Sequence, residues 1–134
     1  MRALQLLDKG YLLSCSDDKT IKLWDIDKAI CIRTYEGHED SVCDIQIVKN
    51  GMLFSCSSDK TIKVWDLADN HSFHTFLGHE SAINSIIVMQ SGDLISSSKD
   101  KTIKIWNLKT KSCIKTLVGH SDSVLCLELM NSFI

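Results

Sequence analysis

Apolar and polar positions alternate along this chain in short runs, and the runs recur. Asp44-Ile45-Gln46-Ile47, Thr61-Ile62-Lys63-Val64-Trp65 and Thr102-Ile103-Lys104-Ile105-Trp106 alternate or are rich in β-branched residues, and each is too short for a stable helix. Period-two alternation sends one set of side chains to each face of a sheet, so these runs predict strands. Turn signals separate them. Asp8-Lys9-Gly10, Lys49-Asn50-Gly51 and Gln90-Ser91-Gly92 each bring a glycine to a place where a hairpin needs positive φ, and Asn50-Gly51 is the strongest of the three. A second tight turn is written Asp-Lys-Thr and begins at Asp18, Asp59 and Asp100. The sequence has no proline, which fits uninterrupted ladders.

The turns and strands repeat at a fixed interval. Trp24, Trp65 and Trp106 are 41 apart, as are Gly10, Gly51 and Gly92, and as are Gly37-His38, Gly78-His79 and Gly119-His120. Aligning 10–25 with 51–66 and 92–107, ten of sixteen columns hold one residue in all three copies, with no gap. Such a period marks a duplicated structural unit. The second copy predicts four strands at about 42–48, 52–57, 61–66 and 71–77, and the other copies follow by subtracting or adding 41. A lone four-stranded sheet with apolar residues on both faces must be sandwiched between copies of itself, which leads to a radial stack.

Composition narrows the function classes. The chain has 134 residues, 44% apolar and 24% charged, which is ordinary for a globular domain and argues against disorder or a fibrous protein. Fifteen Lys and Arg against 17 Asp and Glu leave a net charge of -2, so no phosphate-neutralising field exists and nucleic acid is not an expected partner. Apolar runs such as Ile86-Ile87-Val88-Met89 fall far short of the roughly 18 residues of a membrane span, so no membrane role is expected. The stretch Met1–Asp8 loses its apolar character too early for a signal peptide, and the expected location is the cytoplasm or nucleus. Cys15, Cys31, Cys43, Cys56, Cys113 and Cys126 include no C-x-x-C pair and read as structural thiols. His71 and His74, three apart near a strand edge, are expected on opposite faces and make a poor metal pair, so neither a metal nor a cofactor is expected.

Gly-His followed by Ser-x-Ser-x-Asp-x-Thr-Ile-Lys-x-Trp-Asp at a period of 41 resembles the WD-repeat β-propeller family, over nearly the whole chain. The third copy departs by reading Trp106-Asn107. The resemblance implies an all-β fold of four-stranded antiparallel blades. It also implies a network of histidine, aspartate, serine and tryptophan within each blade: His38, Asp59, Ser55 and Trp65 in the second, and His79, Asp100, Ser96 and Trp106 in the third. The first blade offers Ser14, Asp18 and Trp24, its histidine falling before Met1, and the fourth offers only His120. The expected units are 1–36, 37–77, 78–118 and 119–134, three blades plus one strand near Val124–Met130. Since propellers carry four to eight blades, these cannot close a ring. Each outer blade face would expose about 10 kcal/mol of unburied apolar side chains, comparable with the whole stability of a domain. The expectation is therefore a piece of a longer propeller or a truncated product. The open faces would be covered by its remaining blades, or by self-association if the chain is really this short.

A Ser/His/Asp trio invites a hydrolase reading, but a nucleophile site is one asymmetric constellation and this trio occurs once per blade. The resemblance instead implies a non-catalytic scaffold for proteins or peptides. A propeller-based enzyme and a phosphopeptide adaptor are the alternatives, the latter weakened by having only Arg2 and Arg33. By the family's register the channel mouth would carry Arg2, Asp17, Ser41, Cys43, Ser58, Ala82, Asn84, Lys99, Ser123 and Leu125. Lys19, Lys60 and Lys101, and Lys22, Lys63 and Lys104, read as solvated rims.

Overall fold

The computed structural model describes residues 1–130. Twelve strands form three separate four-stranded sheets, each a meander in which sequential neighbours pair antiparallel. The first holds β1 (Ala3–Leu7), β2 (Tyr11–Cys15), β3 (Ile21–Asp25) and β4 (Ile30–Tyr35). The second holds β5 (Val42–Ile47), β6 (Met52–Ser57), β7 (Ile62–Asp66) and β8 (Ser72–Phe76). The third holds β9 (Ile83–Val88), β10 (Asp93–Ser98), β11 (Thr102–Asn107) and β12 (Ser112–Val118). Among the described residues no helix is long and apolar enough to cross a membrane.

The glycine turns form as their chemistry requires: Gly10, Gly51 and Gly92 have φ of 77°, 83° and 92°. The Asp-Lys-Thr turn needs a left-handed residue too, and a lysine supplies it each time, Lys19, Lys60 and Lys101 lying at φ of 72°, 71° and 72°. These lysines thus hold a backbone conformation as well as facing solvent. Lys22, Lys63 and Lys104 are also more than solvated rim, since each ammonium donates to the hydroxyl of Thr34, Thr75 or Thr116 on the next strand at 3.0, 3.0 and 2.9 Å.

The second sheet buries both of its faces, and the first and third sheets one each. Leu13, Cys15, Ile21 and Tyr35 of the first pack against Val42, Ile45, Leu53 and Trp65 of the second. The opposite face of the second, with Phe54, Cys56, Ile62, Val64 and Phe76, packs against Ile83, Ile86, Leu94 and Trp106 of the third. Each such side chain contributes about 1.5 to 3 kcal/mol. The tryptophan face of one sheet therefore always meets the aliphatic and aromatic face of the sheet before it. The two outermost faces are uncovered. Leu4 and Leu6 are 53% and 70% exposed, and Ile95, Ile103 and Ile105 are only half-buried, although their counterparts Phe54, Ile62 and Val64 are fully buried. The three sheets do not close into a ring.

One feature repeats that alternation could not reveal. The pairing of the third and fourth strands shifts between Leu23 and Trp24, between Val64 and Trp65, and between Ile105 and Trp106. The residue skipped on the outer strand is Ile32, Phe73 or Ile114, a bulge that turns an apolar side chain outward at 47%, 54% and 48% exposure. The bulge also breaks the alternation from which His71 and His74 were assigned faces. His71 lies outside the strand and is exposed, whereas His74 pairs with Val64 on the face turned to the third sheet.

The strand expected near Val124–Met130 does not form through Met130. Its start docks: Val124 is 6% exposed and donates its N–H to Ser98 O at 3.0 Å, as Val42 does to Ser16 O. A strand exists only with a ladder partner, and among the described residues none lies beside this segment. The end of the expected unit 119–134, from 131 onward, lies outside the described residues. Of the six cysteines, Cys15 and Cys56 are fully buried, Cys43 is half-buried, and Cys31, Cys113 and Cys126 are exposed, so only the buried pair fills core space. Burial raises the Cys15 thiol to about 12 and holds Cys56 well above its usual range, which keeps both protonated and inert.

Candidate functional site: the blade networks and the channel mouth

The histidine, serine, tryptophan and aspartate of the second and third sheets are brought into contact by four different segments. The second strand carries the serine, the third the tryptophan, the tight turn between them the aspartate, and the loop before the innermost strand the histidine. Trp65 Nε1 donates to Ser55 Oγ at 2.8 Å, Ser55 Oγ lies 2.7 Å from His38 Nε2, and His38 Nδ1 lies 2.7 Å from Asp59 Oδ2. Trp106, Ser96, His79 and Asp100 repeat these contacts at 2.8, 2.7 and 2.7 Å. Burial pulls His79 below its ordinary pKa against the pull of Asp100, so the ring is neutral near pH 7. A neutral ring fixes the direction of the bonds. The indole donates to the serine, the serine hydroxyl donates to Nε2, and Nδ1–H donates to the carboxylate.

Burial alone would raise Asp100, but Thr102, His79 and the N–H of Glu80 donate to it and hold it at about 2. Asp59 is held well below the carboxylate range, where bonds from His38, Thr61 and the N–H of Glu39 outweigh its burial. The glycine before each histidine makes room for the indole. An added Cβ at Gly37 would lie 3.2 Å from the Trp65 ring, and at Gly78 2.9 Å from that of Trp106. With every polar atom of the trio spent inside the blade and His38 and His79 each only 6% exposed, the arrangement offers no free nucleophile. In the first sheet Trp24 Nε1 donates to Ser14 Oγ at 2.8 Å, and Asp18 Oδ1 accepts only from Thr20, at 3.0 and 2.7 Å. His120 is exposed. Among the described residues no group of three or more His, Cys, Asp or Glu is placed to hold a metal.

The residues just before the innermost strands lie beside those that follow the second strands. Arg2 Nε donates to Asp17 Oδ1 at 2.5 Å, and both side chains are more than half exposed. Hydrogen bonds from Arg2 and Ser41 lower the Asp17 pKa. Ser58 N donates to Ser41 O and Lys99 N to Ala82 O, each at 2.9 Å, and Cys43 Sγ lies 3.5 Å from Ser58 Oγ. Val42 N donates to Ser16 O, joining this end of the second sheet to that of the first, and Val124 N donates to Ser98 O, joining the last segment to the third. Leu125 is 69% exposed. Asn84 is committed elsewhere: its Nδ2 donates to Val124 O at 2.9 Å and to Ser123 Oγ at 3.3 Å, fastening the last segment to the third sheet.

Sequence reasoning missed two relatives of that fastening. Gln5 Oε1 accepts the N–H of Ile47 at 3.2 Å. The half-buried Asp44, its pKa raised by burial against its hydrogen bonds, accepts Ser85 Oγ and Ile86 N at 3.0 Å each. Each junction thus has a different polar side chain reaching from one innermost strand to the next. The only sequence signal was a polar residue at a column that varies between copies.

The family pattern described as "WD domain, G-beta repeat" matches residues 5–25, 29–66 and 70–107. The crystal structure of the WD40 beta propeller domain of Doa1 superposes with a TM-score of 0.89 and 31% identity, covering 96% of this chain and 44% of that one. Protein DOA1 of Saccharomyces cerevisiae is 45% identical over 47 residues, 35% of this chain and 7% of its own length. Coatomer subunit beta'-1 of Arabidopsis thaliana is 49% identical over 35 residues, 26% of this chain and 4% of its own. The chain thus spans a small part of these curated relatives. With three family repeats covering well over half of its length, and with blades that superpose on a solved propeller, the chain belongs to the WD-repeat family.

Proposed function

We propose that the chain is a non-catalytic platform that holds a peptide or a folded domain of a partner protein on its channel-mouth face. The observation that carries this reading is a division of labour among polar side chains. The groups a hydrolase would need are buried and saturated inside the second and third blades, while Arg2, Asp17 and Lys99 are exposed at one end of the stack, where packing does not require them. A relative named as a coatomer subunit is by that name part of an assembly, which supports a protein as the partner class. The reading goes with the units 1–36, 37–77, 78–118 and 119–134 and with a cytoplasmic or nuclear setting, and it calls for no cofactor.

Charge reversal tests it: Asp17→Lys with Lys99→Glu in the full chain, against Lys22→Glu with Lys63→Glu on the outer rim. The mouth variant should weaken a captured partner by about 1 to 3 kcal/mol, or roughly ten- to a hundredfold, while the denaturation midpoint holds. Arg2–Asp17 is an exposed ion pair, and such pairs add little to stability, so its loss will not unfold the protein. If only the rim variant loses the partner, the mouth is the wrong face.

A further inference from the structure

The two buried junctions share one register, and that register extends to the faces left open. Tyr35 of the first sheet meets Trp65 of the second, and Phe76 of the second meets Trp106 of the third, with ring centres 6.0 and 5.6 Å apart. At the first junction the rim closes too: Tyr35 Oη donates to Leu67 O at 2.9 Å and Arg33 Nη1 donates to Ala68 O. On the open face of the third sheet, Leu117 stands in the column of Tyr35 and Phe76, and Lys115 in that of Arg33. On the open face of the first, Trp24 stands for Trp65, Ile26 for Leu67 and Asp27 for Ala68. The two faces are matched halves of one more junction.

What each face lacks, the other holds. Leu117 and Ile26 are 48% and 46% exposed, Trp24 is half-buried although Trp65 and Trp106 are buried, and Leu4 is exposed in the column of the buried Ile45 and Ile86. Lys115 and Asp27 are exposed, opposite in charge, and in no ion pair among the described residues. The blade networks are divided in the same way. Trp24 donates to Ser14, but among the described residues no histidine takes the Ser14 hydroxyl as His38 takes that of Ser55 and His79 that of Ser96. His120, in turn, is exposed and enters no network. An apolar face alone says nothing about its cover. The first sheet's face asks for a cation, an apolar side chain and a histidine at the spacing of Lys115, Leu117 and His120, a spacing the first junction holds as Arg33, Tyr35 and His38.

We propose that the third sheet of one chain packs on the first sheet of a second copy, where His120 completes the network of Trp24, Ser14 and Asp18, Leu117 covers Trp24 and Ile26, and Lys115 faces Asp27. Residues 120–123 come before the register of Met1, so they meet no strand of the second copy. From Val124 onward the tail falls in the register of Met1–Leu7. β1 is laddered to β2, whereas Val124–Met130 is laddered to nothing among the described residues, so the tail yields and gives up the bonds of Val124 to Ser98 and Asn84. The contact joins faces and leaves the β12 edge unused. Being head to tail it occurs twice in a closed pair, and two copies of three sheets give six, within the four to eight of closed propellers.

Sedimentation velocity of the full chain between about 1 and 100 µM tests it: a dimer is expected at the upper end that dissociates on dilution, leaving Asp18 without a histidine again. Leu117→Glu blocks the third sheet's face, and Leu4→Glu with Ile26→Glu blocks the first's; all three residues are exposed within the chain, so each variant stays folded. Each should be monomeric alone, and an equimolar mixture should dimerise through the one pair of faces left intact. Lys115→Glu or Asp27→Lys should weaken the dimer several-fold and both together restore it, while His120→Ala should weaken it about tenfold. In the parent chain the NMR signals of the His120 ring nitrogens should shift over the same concentrations. A monomer throughout, a blocked variant that dimerises alone, a mixture that stays monomeric, or affinities indifferent to His120→Ala and to the charge reversals would overturn the proposal.

Discussion

Replacing Asp59 with alanine removes four hydrogen bonds at once. Its carboxylate accepts from His38 Nδ1 at 2.7 Å, Glu39 N at 3.0 Å, Thr61 N at 2.9 Å and Thr61 Oγ1 at 2.6 Å. Water can replace the bond to Glu39, which is exposed. It cannot reach His38, whose side chain is 1% exposed and whose Nδ1–H is left with only Thr61 Oγ1, 3.3 Å away, as acceptor. A buried donor held by so long a bond costs about 1 to 3 kcal/mol and the lost turn bonds about 1 more, so roughly 3 kcal/mol in all is expected. Asp18 provides the internal control, being the same residue in the same turn with Thr20 but no histidine, and Asp18→Ala should cost about 1 kcal/mol. At a urea m-value of about 2 kcal/mol per M the two midpoints should differ by about 1 M, while Asp100→Ala should match Asp59→Ala. Equal midpoints for Asp18→Ala and Asp59→Ala would show that the carboxylate supports only the turn, and the imidazole relay would then have no energetic role.

Two further outcomes follow from the same networks. Gly78→Ala should destabilise by roughly 2 to 4 kcal/mol, since φ is 154° and a Cβ would sit 2.9 Å from the Trp106 ring. Gly37→Ala, at 3.2 Å from Trp65, should cost less, and Gly119→Ala, which meets nothing within 4 Å, little; thermal melts that rank the three otherwise would refute the contact argument. Stability should rise with pH on the acid side. Asp59 and Asp100 titrate below their unfolded values, so their contribution is present above about pH 4 and lost as pH falls toward about 2, and the share of His79, also lowered, is lost as pH falls below about 6.5. Asp44, raised by burial, opposes this alone. Urea midpoints at pH 3, 5 and 7 check the sign, and a higher midpoint at pH 3 than at pH 7 would contradict it.

The repeat made most of this fold legible. A period of 41 carries register with it, so strands placed in one copy by Asn50-Gly51 and the Asp59 turn could be transferred to the others. The buried networks were legible for the same reason, because the resemblance rests on the residues that build them. What stayed hidden depends on contacts between copies rather than within one. Asp44 and Asn84 occupy columns that differ in every copy, and Gln5 one that holds glutamine in two copies but isoleucine in the third, so no pattern announced that each reaches across a junction. The left-handed lysines were obscured because a residue type that suits solvent says nothing about φ. The bulge was obscured because a single skipped residue looks, in the letters, like an unbroken run such as Ser72-Phe73-His74-Thr75. The last strand failed for a physical reason: pairing is a property of two segments, and Val124–Met130 has the sequence of a strand with no second segment beside it among the described residues.

The skipped residues Ile32, Phe73 and Ile114 bear on how such a molecule stays apart from its own kind. β4, β8 and β12 are the outer borders of their sheets, each with a free row of backbone groups that a passing strand could adopt. At the bulge that row loses its spacing, so an intruder aligned with one half of β8 is a residue out of step with the other. An added strand could bond along only two to four residues before its side chains faced the wrong way. The outer edge therefore gives up one residue of regularity in each repeat, and in exchange stacked molecules find no continuous template along it.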